Sequence, residues 1–319
     1  MLTRGLALGA AFAIAIASYA AEAQTKYPHS TVTLVTHSSP GGGSDVFLRE
    51  LAKHLGPAMG VNFVVENVRG GSGARAVAKV AQSPADGSIF YATTPTYIQT
   101  TLLSKPEYGY ETLEPLMIVF LDPEVVYTRA QSPFKSLADA VNDAKQSPGK
   151  AKWGAANPAS LERVAFERLS RITGARAAVV THEGGGDLMI NVLNGTLDIG
   201  IGEIQEIRAQ LDAGQVRLLA ALTDMRLDQF PNLTTAKEQG VDLTVTKFRG
   251  LAGPKGLPAD VIKAWEEGMQ KVLASPAYKK EYERENLVPA FMGHAKAGPF
   301  TTEFAKEVTA SLREFGVVK

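Results

Sequence analysis

Three times along this chain a strand-like run ends in a cluster of glycines, and an amphipathic helical pattern starts directly after it. The clusters are "SSPGGGSD" at 38–45, "NVRGGSGA" at 67–74 and "HEGGGD" at 182–187. A fourth turn, "NPAS" at 157–160, takes the same place without glycine. Strand, short turn and helix repeating in this order make parallel β-α-β units, so the layout predicts an α/β fold. The first unit shows the logic. "TVTLVT" reads as a buried strand, and 44–59 puts Phe47, Leu48, Leu51 and Leu55 on one helical face.

The alternation continues through "VNFVVEN" (strand), 73–82 (helix), "SIFYATT" (strand) and a helix from 96 to 103. Two longer extended runs then interrupt it: "LMIVFLDPEVVYTRA", and later "TVTKFRGLAGPKGLP" before a long helix at 259–273. Between them lie "KWGAANPAS" and its helix, "AAVVTHEGGGD", and the strand "RLLAALT". Two crossings predict two α/β lobes joined by a double hinge, with a cleft between. The expected division is 24–122 with 246–319 for the first lobe and 123–245 for the second.

Composition narrows the function. Lys+Arg and Asp+Glu are equal at 33, which argues against nucleic acid or an anionic membrane as the main partner. Residues 1–23 carry one early charge, Arg4, then a short alanine-rich apolar run and a small-x-small site. That is the form of a cleaved secretory signal, with the mature chain expected to start near Gln24. There is no cysteine, hence no disulfide, lipidated cysteine or thiolate site. A cysteine-free exported chain suits the periplasm.

A glycine turn at a helix start is an anion site in waiting. The first N–H groups of a helix are unpaired and carry partial positive charge, and glycine lets an anion reach them. In open α/β sheets ligands lie beyond the carboxyl ends of the strands, where these turns sit. The plainer alternative is a set of tight turns whose Ser44, Asp45, Ser160 and Asp187 are ordinary N-caps, worth about 1 kcal/mol each. Catalytic patterns are missing. The chain has no GxxxxGK[ST] and no G-x-S-x-G, and its five histidines lack metal-ligand spacing. "GSGARA" at 71–76 fits a loose dinucleotide pattern without the acid expected further on. The expectation is therefore a binding protein with no catalytic residues, no metal and no cofactor.

These turns, in this order, resemble the periplasmic solute-binding receptors of the tripartite tricarboxylate transporters, the Bug family. The resemblance covers essentially the whole mature chain. It is carried by "TLVTHSSPGGGSDVFLRELAKHLG", "VVENVRGGSGARAVAKVAQSPADGSIFYATT", "KWGAANPAS", "VVTHEGGGDLMINVLNGTLDIGIG", "QFPNLTTAKEQGVDL" and "GLAGPKGLP". It implies the two-lobe type II periplasmic-binding-protein fold, closing on a small organic carboxylate (a di- or tricarboxylate or an aromatic acid). The implied partners are the membrane components of such a transporter, with the receptor a monomer. Carried onto this chain, the first-lobe contacts are Ser38, Ser39, Gly42, Gly43, Ser44, Asp45, Thr93 and Thr94. Those of the second lobe are Asn157, Ser160, His182, Gly184, Gly185 and Asp187. Asp45 is expected to brace its loop and cap the helix.

Two departures stand out. The family has proline and an aromatic where this chain has His37 and Ser38, and commonly tyrosine where it has His182. Two histidines would then face one cleft from opposite lobes, able to donate to a carboxylate or to meet a ring. Glu203, if it faces the pocket, calls for a donor or positive group on the ligand. Arg249, beside the return hinge, reads as a solvated arginine, the alternative being a further ligand contact. Two other roles fit the same residues: a periplasmic ligand sensor, or a secreted hydrolase depending on Ser44 or His182.

Overall fold

The computed structural model describes residues 28–314, so the proposed signal segment at 1–23 lies outside the described residues. Strand β1 (Thr31–Thr36) ends at the first turn, and helix α1 (Gly43–Met59) follows. Phe47, Leu48, Leu51 and Leu55 recur at helical spacing on α1 and are all buried. The helix stops at Gly60, whose left-handed φ of 69° suits glycine. Strands β2 (Asn62–Asn67) and β3 (Ile89–Thr93) flank β1 in parallel, with α2 (Ala74–Ala81) and α3 (Pro95–Ser104) completing the unit.

The "LMIVFLDPEVVYTRA" run is the body of one long strand, β4 (Leu113–Arg129). Helix α4 (Leu137–Gln146) leads to the second parallel group. This group is β5 (Lys152–Ala155), α5 (Leu161–Thr173), β6 (Ala178–Thr181), α6 (Gly185–Leu193) and β7 (Ile199–Glu203). Then come α7 (Ile204–Asp212), β8 (Val216–Ala221) and β9 (Thr246–Pro254). The chain closes with α8 (Ala259–Leu273), α9 (Pro276–Arg284), β10 (Val288–Met292) and α10 (His294–Glu314).

Strands run in the order β2-β1-β3-β9-β4-β7-β5-β6, with β8 and β10 also pairing β4. The two crossing runs lie antiparallel to each other, β9 pairing β4 from Leu113 to Pro123. Beyond that point β4 turns to new partners, Glu124–Tyr127 on β7 and Val125–Arg129 on β8. One strand thus serves two sheets, which is the physical form of the double hinge. The described residues form two α/β lobes around it.

Each lobe has apolar contacts on both faces of its sheet. Trp265 packs with Phe47, Leu51 and Phe120 on one face of the first lobe, and Tyr91, Tyr97 and Phe248 fill the other. In the second lobe Trp153 and Phe166 anchor one face and Leu188 and Ile204 the other. Trp153 and Trp265 are fully buried. A tryptophan removes ~200 Å² from water, about 5 kcal/mol of transfer free energy. These cores fix the strand ends, and the strand ends place the turns. No described helix is long and apolar enough to cross a membrane.

Candidate functional site

The first turn is held from within. Asp45 accepts from Gly41 N–H and Asn67 Nδ2 at 2.9 Å each, and from Arg49 Nε at 3.0 Å. Burial pushes its carboxyl up, but the bonds from Arg49, Gly41 and Asn67 outweigh that and hold it below the usual range. It braces the loop rather than lining the cleft. His37 is fixed by a 2.6 Å hydrogen bond between Nδ1 and the Tyr91 hydroxyl. Burial, then the charges of Lys247 and Arg249, lower its pKa to about 4, so the imidazole is neutral at pH 7.

The turns of the two lobes touch. Asp187 N–H donates to Ser39 Oγ at 3.3 Å, and Arg69 pairs with Asp187 across the mouth of the cleft. A Cβ on Gly185 would lie 1.9 Å from Glu206 Oε1, and one on Gly43 would lie 2.3 Å from Arg249 Nη2. A side chain at either position would have to displace the end of a Glu206 or Arg249 side chain that lies directly against the backbone. The cleft is therefore shut, leaving a cavity of about 20 Å³, room for roughly one water.

Of the sequence-derived candidates, His37, Ser38, Gly43, Ser44 and Thr94 line that cavity from the first lobe. Asn157, Gly184, Gly185 and Glu203 line it from the second. Ser39 and Gly42 stand just behind, in the contact between turns. Thr93 is buried below Thr94, its hydroxyl without a partner, and Ser160 caps α5 by accepting from Arg163 N–H at 3.2 Å. His182 is placed elsewhere. Its ring lies in an open groove with Pro158, Asp187 and Ile190, its Nδ1 3.4 Å from the Ala155 carbonyl. The two histidines do not share the closed cavity. The second glycine turn does not reach it either: a Cβ on Gly73 would lie 3.2 Å from the His37 ring, so that turn supports His37 from behind.

The largest difference from the sequence reading is electrostatic. Arg249 is not solvated; it is 1% exposed. It donates from Nε to Asp122 at 2.7 Å, from Nη1 to Ser44 Oγ at 2.8 Å and from Nη2 to Glu203 at 2.5 Å. Lys247 donates to Glu124 at 2.9 Å and to Glu162 at 2.6 Å, and also contacts Glu203. Glu206, in the first turn of α7, reaches across the cleft and accepts the Gly43 N–H at 2.6 Å. None of Asp122, Glu124, Glu162, Glu206 and Lys247 was singled out from the sequence.

Burial sets the protonation pattern here. It raises Asp122 to about 6 against the pull of Arg249, and lifts Glu124 well above the usual range despite Lys247. Burial and then the Glu203 charge raise Glu206 similarly. For Glu203 and Glu162, burial also pushes upward, but Lys247 (joined at Glu203 by Arg249) wins and keeps both low. Burial lowers Lys247, while Glu124, Glu162 and Glu203 more than restore it. Oxygens of Glu124, Glu162 and Glu203 lie within 4.8 Å of one another, the spacing of a cation cage. The Lys247 ammonium takes that place. The geometry also opposes hydrolase chemistry, since the Ser44 hydroxyl accepts from a guanidinium instead of facing a base.

Comparison with known proteins agrees with this architecture. A UPF0065 protein from the TAR-I ttuE-ttuC' intergenic region of Agrobacterium vitis is 26% identical over 300 residues, covering 92% of this chain and 86% of that one. Protein BugT of Bordetella pertussis is 25% identical over 321 residues, covering 99% and 98%. Among solved structures, R. palustris Rpa4515 with adipate has a TM-score of 0.87 at 24% identity, covering 92% of this chain and 99% of that one. The periplasmic binding protein BugD has a TM-score of 0.83 at 22% identity, covering 92% and 100%. The family model described as "tripartite tricarboxylate transporter family receptor" matches residues 47–316. This chain therefore belongs to the tripartite tricarboxylate transporter receptor family, whose members are solute-binding proteins and not enzymes.

Proposed function

We propose that this protein captures a small organic acid in the periplasm and delivers it to the membrane components of a tripartite tricarboxylate transporter. The observation that carries the reading is the convergence of helix starts from both lobes on one cavity, where the Gly43 N–H already donates to a carboxyl oxygen, that of Glu206. A solute carboxylate has the same chemistry and takes the same donor. Proteins of similar fold support the ligand class: Rpa4515 was solved with adipate, and MatC of Rhodopseudomonas palustris with malate. Residues 1–23 serve as the export signal in this reading. In this reading the lobes divide at 122/123 and 245/246; β4 keeps β9 as its partner through Pro123 and takes up β7 from Glu124, and β9 begins at Thr246.

Ligand contacts come from the cavity-lining His37, Ser38, Gly43, Ser44, Thr94, Asn157, Gly184, Gly185 and Glu203. Ser39, Gly42, Asp45, Thr93, Ser160 and Asp187 shape the turns that present them. His182 contributes on opening, as its groove adjoins the third turn. Micromolar binding needs about −8 kcal/mol, and charge-assisted hydrogen bonds supply roughly 1.5–3 kcal/mol each. A few N–H and hydroxyl donors suffice without any catalytic group.

The test is a thermal-shift screen of protein unfolded and refolded to strip carried-over ligand, against mono-, di- and aromatic carboxylates. A binder at a thousand times its dissociation constant adds about 4 kcal/mol, a shift of several degrees. A flat response across the panel would remove the acid-receptor reading.

A further inference from the structure

We infer that Arg208 is a positioning residue of this receptor: from outside the cavity it clasps the second lobe to the first, and so sets how tightly the cleft holds its solute. The inference rests on the receptor reading above and adds to it a contact remote from the solute.

Helix α7 follows directly on β7, which pairs β4 from Glu124 onward, just past the stretch that β4 shares with β9. Helix α9 leads through residues 285–287 to β10, which pairs β4 at Leu121, Phe120 and Ile118. The two helices therefore hang from consecutive stretches of one strand, on opposite sides of the crossing. A pivot of the lobes at the crossing changes the separation of α7 and α9.

Successive residues of α7 hold the first lobe. Gln205 Nε2 donates to Asp122 at 2.8 Å, and Glu206 accepts the Gly43 N–H inside the cleft at 2.6 Å. Arg208 lies about 200° further round the helix from Glu206 and reaches α9 instead. Its Nε donates to Glu285 at 3.3 Å and its Nη2 to the Arg284 carbonyl. That carbonyl ends α9, where the last C=O groups lack intrahelical partners and favour a cation. The second lobe presents the guanidinium ready-oriented, 5.3 Å from the centre of the Phe230 ring and 3.6 Å from Asp212. Asp212 in turn accepts from Arg284 at 3.0 Å, and Gln229 N–H donates to Asn286 Oδ1 at 3.4 Å. Asn286 has a left-handed φ of 58°, which asparagine tolerates, and this turns the chain from α9 towards β10.

Burial decides how much the clasp can do. The side chains of Arg208 and Glu285 are each 14% exposed, against 42% and 35% for Arg69 and Asp187 at the mouth. A pair this sheltered is screened less by salt than the pair at the mouth. Loosening it lowers the fraction of molecules whose lobes are together, and the apparent affinity falls by the same factor. Arg208 does not line the cavity, so its loss shows in how fast solute leaves rather than in how fast it arrives.

The experiment is calorimetric titration and stopped-flow binding of adipate and malate. The proteins are refolded wild type, Arg208→Met, Arg208→Lys, Glu285→Gln and the double variant of Arg208→Met with Glu285→Gln, each checked by circular dichroism. Arg208→Met and Glu285→Gln are each expected to weaken binding about five- to thirty-fold, through faster dissociation, with the double variant no weaker than the worse single one. Arg208→Lys keeps the charge and is expected to recover part of the loss. Unchanged affinity in Arg208→Met and Glu285→Gln, or a loss carried by slower association, would overturn the clasp and leave the receptor standing. The chain has no cysteine, so Val64→Cys and Ile190→Cys, exposed on the first and second lobes, take spin labels at those positions alone. Arg208→Met in that background is expected to lengthen the distance between the labels. Should neither acid bind wild type, the receptor reading loses its support and this distance decides by itself: a longer one keeps the clasp, an unchanged one removes it.

Discussion

Lys247, on the strand that returns to the first lobe, donates to Glu162 in the first turn of a second-lobe helix at 2.6 Å. The same ammonium also meets Glu124 and Glu203, so one cation balances carboxylates from three different elements. Replacing it with an apolar residue of similar length strands those charges. Lys247→Met is expected to destabilise the fold by about 3–5 kcal/mol at neutral pH, the cost of breaking a buried pair. The loss should shrink towards pH 5, where the stranded carboxyls take up protons. Urea denaturation at both pH values reads this out. A loss under about 1 kcal/mol at neutral pH would mean that the charges are compensated otherwise.

His37 gives stability a signed pH dependence. Its pKa falls from 6.5 to about 4 on folding, so the unfolded chain binds the proton first as the solution is acidified. Stability from this group is full above pH 6.5 and is lost as pH falls towards 4. Asp122 acts in the opposite sense. Its pKa rises from 3.8 to about 6, so its contribution is present below 3.8 and is lost as pH rises through 6. Comparing wild type with His37→Gln separates the two. The variant should lose less stability between pH 6.5 and 4, by about 1–3 kcal/mol, in urea midpoints. Parallel profiles would contradict a neutral, buried imidazole.

Arg69 and Asp187 join the lobes at the mouth of the cleft, with side chains 42% and 35% exposed. An ion pair this open contributes little, about 0.2–1 kcal/mol, and salt screens it. Asp187→Asn is expected to raise the ligand dissociation rate by about two- to five-fold at low salt, with association nearly unchanged. Stopped-flow at two ionic strengths checks it. A change of a hundred-fold would place Asp187 on the ligand itself.

The fold was legible because its elements are strongly periodic. Val261, Trp265, Met269 and Val272 repeat at helical spacing between Pro258 and a break at Ala274, so the 259–273 helix could be read to the residue. The turns were legible as a set, because glycines between strand and helix have few other uses. The charge network was not. Its signal lay in the crossing strands, where Asp122 and Glu124 stand two apart, as do Lys247 and Arg249. Residues two apart on a strand share a face, and the antiparallel register puts Asp122 opposite Lys247. An acid pair and a base pair in two apolar crossings suggest a buried ionic seam. Glu206 was illegible for a different reason. A glutamate in the first turn of a helix is ordinary dipole chemistry, and its bond to Gly43 exists only once the lobes close.

The most direct test is titration of the tightest-binding acid into refolded wild type and Gly185→Val. The atoms nearest a Cβ there are the movable end of Glu206, so folding is expected to be retained while the cavity between the turns is filled. Wild type is expected to give one-to-one binding, and Gly185→Val to lose about a hundred-fold or more in affinity with an unchanged circular dichroism spectrum. Equal affinity in the two proteins would show that the acid is not held where the turns converge.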